Sequence, residues 1–159
     1  MATMSVGSPA PPFELPADDG STVRLGDLQG RWVIVYFYPR DSTPGCTTEA
    51  CDFRDNQQKL QTEFDAVVLG VSGDSLKSHV RFRDKHQLPF RLLSDAEHGM
   101  MERWSAWGDK KMYGRTFKGV IRSTYIVDPQ GCIAAAWPKV RVKGHVQDVI
   151  ETLTSLTSG

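Results

Sequence analysis

From Trp32 to Tyr38 every residue is β-branched or aromatic, and the run stops at Pro39. With no alternation of apolar and polar positions, it reads as a fully buried strand, covered on both faces. Ala66-Val67-Val68-Leu69-Gly70-Val71-Ser72 reads as a second buried strand. Between them lies a long helical pattern that begins near Cys46, with Ala50, Phe53, Leu60 and Phe64 on its apolar side.

The rest of the chain extends this alternation. Phe13-Glu14-Leu15 and Thr22-Val23-Arg24-Leu25 flank Ala17-Asp18-Asp19-Gly20 as an N-terminal hairpin, with Asp-Gly supplying the turn. Ser75 N-caps a helix that carries Leu76, Val80 and Phe82 and ends near His86, before Pro89. Phe90 to Leu93 is a short strand, Asp95 to Trp104 a short helix, and Lys110 to Lys118 a basic, Gly-containing loop. Val120 to Val127 and Cys132 to Trp137 are strands joined at Asp128-Pro129-Gln130-Gly131, and His145 to Leu156 is a closing amphipathic helix. Early alternation and a late hairpin describe an α/β fold, a three-layer sandwich with a mixed central β-sheet flanked by helices. This is the thioredoxin-like arrangement, in which the reacting residue sits at the start of the first helix. A length of 159 residues fits one domain over 1–159. Residues 1–12, rich in Pro, Ser and Ala, are expected to be a loosely ordered lead-in.

Charge and cysteine count exclude several functions. Nineteen basic residues balance nineteen acidic ones, so the basic excess needed to bind nucleic acid or an anionic membrane without specificity is missing. The longest apolar run, Val33 to Tyr38, is too short to span a membrane. The N-terminal MATMSVGSPAPPF lacks the charged and apolar segments of a secretory signal, so a reducing compartment is expected. There, three cysteines do not make a disulfide scaffold. His79, His86, His98 and His145 show no metal-ligand spacing with each other or with Cys46 and Cys51, so neither metal nor cofactor is expected.

The chemistry points to Cys46, placed where the first buried strand gives way to a helix. Unpaired backbone N–H groups and the positive end of the helix dipole favour a thiolate there. Gly45 lets the backbone approach a bound molecule, Pro44 stiffens the loop, and the Thr43 hydroxyl can donate and accept at once. Five residues along an α-helix put Cys46 and Cys51 roughly 8.7 Å apart at Cα, beyond the 7 Å or so that a disulfide tolerates. The two can join only if the first turns unwind, which makes the pair a switch rather than a staple. Arg122, in the apolar strand Val120–Val127, is costly unless paired, and its fork of donors suits a thiolate and a peroxide oxygen together. Glu49 reads either as an acid complementing the helix dipole or as the partner that steers Arg122. Cys132, beside Ile133 and Ala134, reads as a packing residue. Lys110-Lys111-Met112-Tyr113-Gly114-Arg115 reads as a solvated surface, or else as a docking patch for a reductase or a rim to the pocket.

These segments resemble the peroxiredoxins of the PrxQ type, also called bacterioferritin comigratory proteins. The resemblance rests on Phe37-Tyr38-Pro39, on Thr43-Pro44-Gly45-Cys46-Thr47-Thr48-Glu49-Ala50-Cys51, and on Phe53-Arg54-Asp55. Later blocks are Leu88-Pro89-Phe90, Leu92 to Asp95, Trp107-Gly108, Tyr113-Gly114, Arg122-Ser123-Thr124 and Val142 to His145, so the match runs nearly end to end. By similarity Cys46 is the peroxidatic cysteine and Cys51 the resolving one, with Pro39, Thr43 and Arg122 completing the pocket and Gly45 and Glu49 beside the substrate. Other members carry the resolving cysteine about a helix further on, and the region around Phe82 contains none. The resemblance also implies a monomer or weak dimer, a cytoplasmic location and reduction by thioredoxin. Cys132 matches no role in the family.

The expected reaction is attack of the Cys46 thiolate on the terminal oxygen of a hydroperoxide, giving a sulfenic acid and water or an alcohol. The helix start then unwinds, Cys51 condenses with the sulfenic acid to form the Cys46–Cys51 disulfide, and a dithiol such as thioredoxin restores both thiols. The alternative is a redox sensor or chaperone-like protein that uses the same switch without turnover. A general disulfide oxidoreductase is disfavoured by the missing Cys-x-x-Cys.

Overall fold

The computed structural model describes residues 4–158. Its centre is the predicted buried strand, β3 (Val33–Phe37), all five residues of which are buried. It follows a hairpin of β1 (Glu14–Pro16) and β2 (Thr22–Arg24). After it come α1 (Pro44–Asp55), α2 (Gln57–Phe64), β4 (Val67–Ser72), α3 (Leu76–His86), β5 (Arg91–Ser94) and α4 (Gly99–Arg103). The chain ends with β6 (Trp107–Met112), β7 (Arg115–Val120), β8 (Ser123–Val127), β9 (Ile133–Trp137) and α5 (His145–Thr157). The main sheet has the order β5-β4-β3-β8-β9, with β3, β4 and β5 parallel, β8 antiparallel to β3 and β9 antiparallel to β8, a mixed sheet as expected.

The side chains of β3 divide the core by parity. Ile34 and Tyr36 join Ala50, Phe53, Leu60, Phe82 and the α5 residues Val146, Val149, Ile150 and Leu153 on one face. Val33, Val35 and Phe37 join Phe13, Val23, Met100, Met101 and Trp104 on the other. So α1, α2, α3 and α5 cover one face, and α4 with the β1–β2 hairpin covers its reverse. Gly70 on β4 sits opposite Tyr36. A Cβ there would come within 2.9 Å of the tyrosine ring, so only glycine leaves the ring its place.

Four expectations need correction. The long helix from Cys46 breaks at Asn56 (φ −110°, ψ 4°) into α1 and α2. The basic loop 110–118 is a hairpin, β6–β7, turning at Tyr113 (φ 54°) and Gly114 (φ 76°), the left-handed pair that a tight two-residue turn demands. The strand expected over Val120–Val127 is interrupted at Ile121 and Arg122, between β7 and β8. The lead-in at 1–12 is not loose where it is described. Gly7 N donates to Ile133 O (2.8 Å), Ile133 N to Ser8 O (2.8 Å) and Ala10 N to Gly131 O (2.9 Å). The open edge of β9 supplies those backbone partners, which composition alone does not reveal. Residues 1–3 lie outside the described residues. Among the described residues, no helix is long and apolar enough to cross a membrane.

Candidate active site

The loop between β3 and α1 is anchored from below. The buried Tyr38 hydroxyl donates to Asp41 Oδ1 (2.6 Å), Ser78 Oγ donates to Asp41 Oδ2 (2.9 Å), and His79 Nδ1 lies 2.7 Å from that same oxygen. His79 Nε2 faces the Leu93 carbonyl at 3.0 Å, so both ring nitrogens meet acceptors, an arrangement that favours the charged imidazole. Burial opposes that charge, but the hydrogen bond and charge of Asp41 prevail and raise the His79 pKa. Asp74 Oδ2 accepts from Asp41 N (2.8 Å) and Ser72 Oγ (2.7 Å). Asp41, Asp74 and His79 bring ligand atoms within 4.8 Å of one another. Both imidazole nitrogens are engaged by protein acceptors, Nδ1 by Asp41 and Nε2 by the Leu93 carbonyl. The cluster is an anchor for the loop, and no sequence pattern announced it because Asp41 and His79 are far apart in the chain.

Above this anchor Thr43 is the N-cap of α1 and Pro44 opens the helix. The Thr43 side chain caps no amide; its hydroxyl donates to Arg40 O (2.8 Å). Towards any bound oxygen it is therefore an acceptor. The amides of Gly45 and Cys46, in the first turn, are left for a ligand. Cys46 is 1% exposed. Arg122 Nη2 donates to its sulfur (3.3 Å) while Nη1 donates to Glu49 Oε1 (2.7 Å). A Cβ at Gly45 would lie 3.4 Å from Arg122 Nη2, in ordinary contact, so this helix turn runs directly against the guanidinium.

The interruption between β7 and β8 lets Arg122 cross the sheet's end to Cys46, fixed by the bond from Val140 N to its carbonyl (2.8 Å). Burial disfavours its charge, but Glu49 and Cys46 outweigh it and raise its pKa. Burial pushes Glu49 up to about 7 against the pull of Arg122. Among the described residues its Oε2 has no hydrogen-bond partner. A depression of about 790 Å³ opens over Arg122, lined by Pro39, Ile121, Pro138 and Val140 and by Lys110, Lys111 and Lys139. Burial, and then Arg122, lower the Lys110 pKa, while the charge of Cys46 opposes them. Lys110 is thus a rim residue of the pocket.

Cys46, Glu49 and Gly45 lie against Arg122, Thr43 caps the same helix, and Pro39 lines the depression over Arg122. Cys51 does not join them. It lies half-buried on the same unbroken helix, its sulfur 3.9 Å from His86 Nδ1. Cys132 is half-buried rather than packed away, at the start of β9 beside Pro9, at the end of the sheet opposite Cys46. All three thiols are free. A buried sulfur with a guanidinium on one side and open helix amides on the other can hold a thiolate and align a dioxygen bond along it.

The AhpC/TSA family model matches residues 6–136. The Peroxiredoxin Bcp of Bacillus subtilis (strain 168) is 46% identical over 155 residues, 98% of each chain. That of Escherichia coli (strain K12) is 39% identical over 153 residues, 96% of this chain and 97% of its own. A cysteine-to-serine mutant of Xylella fastidiosa PrxQ superposes with a TM-score of 0.92 at 31% identity, covering 99% of this chain and all of its own. The chain belongs to the AhpC/TSA family and, within it, to the Bcp/PrxQ peroxiredoxins, which are thiol-dependent peroxidases.

Proposed function

We propose that Cys46 is the peroxidatic thiol and that it reduces hydrogen peroxide and organic hydroperoxides to water and alcohols. The observation that carries this reading is the Arg122 fork, one arm on the Cys46 sulfur and the other on Glu49. As the thiolate attacks the terminal oxygen, charge moves to the departing oxygen, which the Gly45 and Cys46 amides and Arg122 can receive. Thr43, with its own proton engaged by Arg40, accepts the peroxide's hydrogen and so orients it. Pro39 walls the pocket. A Xanthomonas campestris bacterioferritin comigratory protein, 35% identical with a TM-score of 0.87, is described by its alkyl peroxide reduction activity, which supports organic hydroperoxides as substrates here.

Cys51 then resolves the Cys46 sulfenic acid as an intramolecular disulfide, once the first turns of α1 have unwound. Thioredoxin or a similar dithiol returns both thiols to the reduced state. The whole chain works as one domain, as a monomer or weak dimer in the cytoplasm. One equivalent of peroxide followed by mass and connectivity analysis tests the assignment. A Cys46–Cys51 link in the native protein, no consumption by Cys46→Ser and a trapped sulfenic acid in Cys51→Ser are expected. Peroxide turnover in Cys46→Ser refutes it.

A further inference from the structure

Cys51 has a companion that the peroxide chemistry leaves unused. Its sulfur lies 3.9 Å from His86 Nδ1, on the last turn of α3. The imidazole is seated edge-on against buried Phe82, with ring centroids 5.3 Å apart at 75°. Arg54 Nη1 donates to the His86 carbonyl (2.7 Å). These contacts clamp the far half of α1 to the end of α3. Phe53 adds to the clamp, stacked on Tyr36 (4.7 Å) and set against Phe90 (6.5 Å) in the core. The near half, from Pro44 to Thr48, is held by the Arg122 bond to the Cys46 sulfur and, among the described residues, by no side-chain bond to α3, so unwinding brings Cys46 to Cys51 while Cys51 stays beside His86.

We propose that His86 is the catalytic base of disulfide formation, its Nδ1 taking the Cys51 proton as that thiol attacks the oxidised Cys46. The inference rests on the reading of Cys51 as the resolving cysteine. In the step, the Cys51 S–H bond breaks and the proton goes to Nδ1. The S–S bond forms as the Cys46 S–O bond breaks, and the departing hydroxide takes up a proton to leave as water. The sulfenic sulfur is reduced and the Cys51 sulfur oxidised, so no outside oxidant is needed. Other charged groups near the pair are Asp52 and Asp55 on α1, with Asp55 held by Arg54 Nε (3.0 Å), and exposed Lys85 beside His86 on α3.

The test separates the two chemical steps. Reduced protein is mixed with one equivalent of hydrogen peroxide, quenched at intervals, and its sulfenic acid and disulfide are counted by mass between pH 6 and 9. A free cysteine is about 3% thiolate at pH 7, which limits base assistance to about thirtyfold. In His86→Gln the peroxide step is expected at the native rate. Disulfide formation is expected about tenfold slower at pH 7 and within about twofold of native at pH 9, where the thiol ionises unaided. Added imidazole should restore part of the rate in His86→Ala, which a purely structural role of His86 would not allow. A native rate and pH profile of disulfide formation in His86→Gln overturns the proposal, as does a slow His86→Ala that imidazole fails to rescue. A disulfide formed at the native rate in Cys51→Ser would instead refute the role of Cys51, whatever His86 does.

Discussion

At the scale of single residues, Arg122 and Glu49 set the electrostatics of the Cys46 pocket. Removing the fork leaves a buried sulfur without its counter-charge and a departing oxygen without a donor. Arg122→Ala should slow the bimolecular peroxide step a hundredfold or more, roughly 3 kcal/mol of barrier. Stopped-flow with peroxide under single-turnover conditions measures it, and a near-native rate would make Arg122 structural. Glu49 carries a pH signature. Its pKa in the folded protein, pushed up to about 7 by burial, lies above the ordinary 4.5. The folded state therefore holds this proton more tightly than the unfolded chain. The stability so gained is full below pH 4.5 and is lost as pH rises through 7, on the order of 3 kcal/mol. Glu49→Gln should flatten the fall in melting temperature between pH 4.5 and 8; parallel curves for the two proteins would refute the assignment. The types of these residues were legible in the sequence, since a lone arginine among apolar neighbours demands a partner. Glu49 was one of two readings there, and only the fold chose it, because Glu49 and Arg122 meet when the sheet brings their elements together.

At the scale of elements, α1 has to be stable enough to present Cys46 and weak enough at its start to release it. Its opening turn holds Pro44, Gly45 and two threonines, poor helix formers apart from the proline's preset first position. Thr48 is exposed and outside the pocket, so it tunes the helix alone. Glycine is about 1 kcal/mol worse than alanine in a helix, so disulfide formation should be about fivefold faster in Thr48→Gly than in Thr48→Ala. The peroxide step should be equal in both, and equal disulfide rates would show that unwinding does not limit resolution. The five-residue spacing of the cysteines already separated them in the sequence, because helix geometry is local. The β6–β7 hairpin was hidden by its composition. Its exposed, charged strands lack apolar alternation, and only the left-handed Tyr113-Gly114 turn betrays the pairing.

Across the whole molecule, backbone from outside the sheet pairs with part of each of its edge strands. Residues 7–10 pair with the start of β9 at Ile133, while the hairpin turn meets β5 through the Ala17–Leu93 bridge and the bond from Leu92 N to Asp18 Oδ1 (2.9 Å). Cys132 lies at one end of this sheet and Cys46 at the other, so a bond between them within one chain is out of reach. Cys132→Ser should therefore leave peroxide turnover with a dithiol reductant within about twofold of native, a side-chain change that far from the chemistry costing little. A larger loss would bring Cys132 into the cycle. The sequence by itself determined the buried strand, a helix start beside Cys46, the order of layers and the kinds of side chain the pocket uses. Those follow from periodicity, helix starts and the cost of burying charge, all properties of neighbouring residues. Tertiary structure decided the rest: the crossing of Arg122, the Asp41–His79 anchor, the docking of residues 7–10 and the meeting of Cys51 with His86. Each joins groups far apart in the chain, and such contacts exist only where packing of the two faces of β3 leaves room for them.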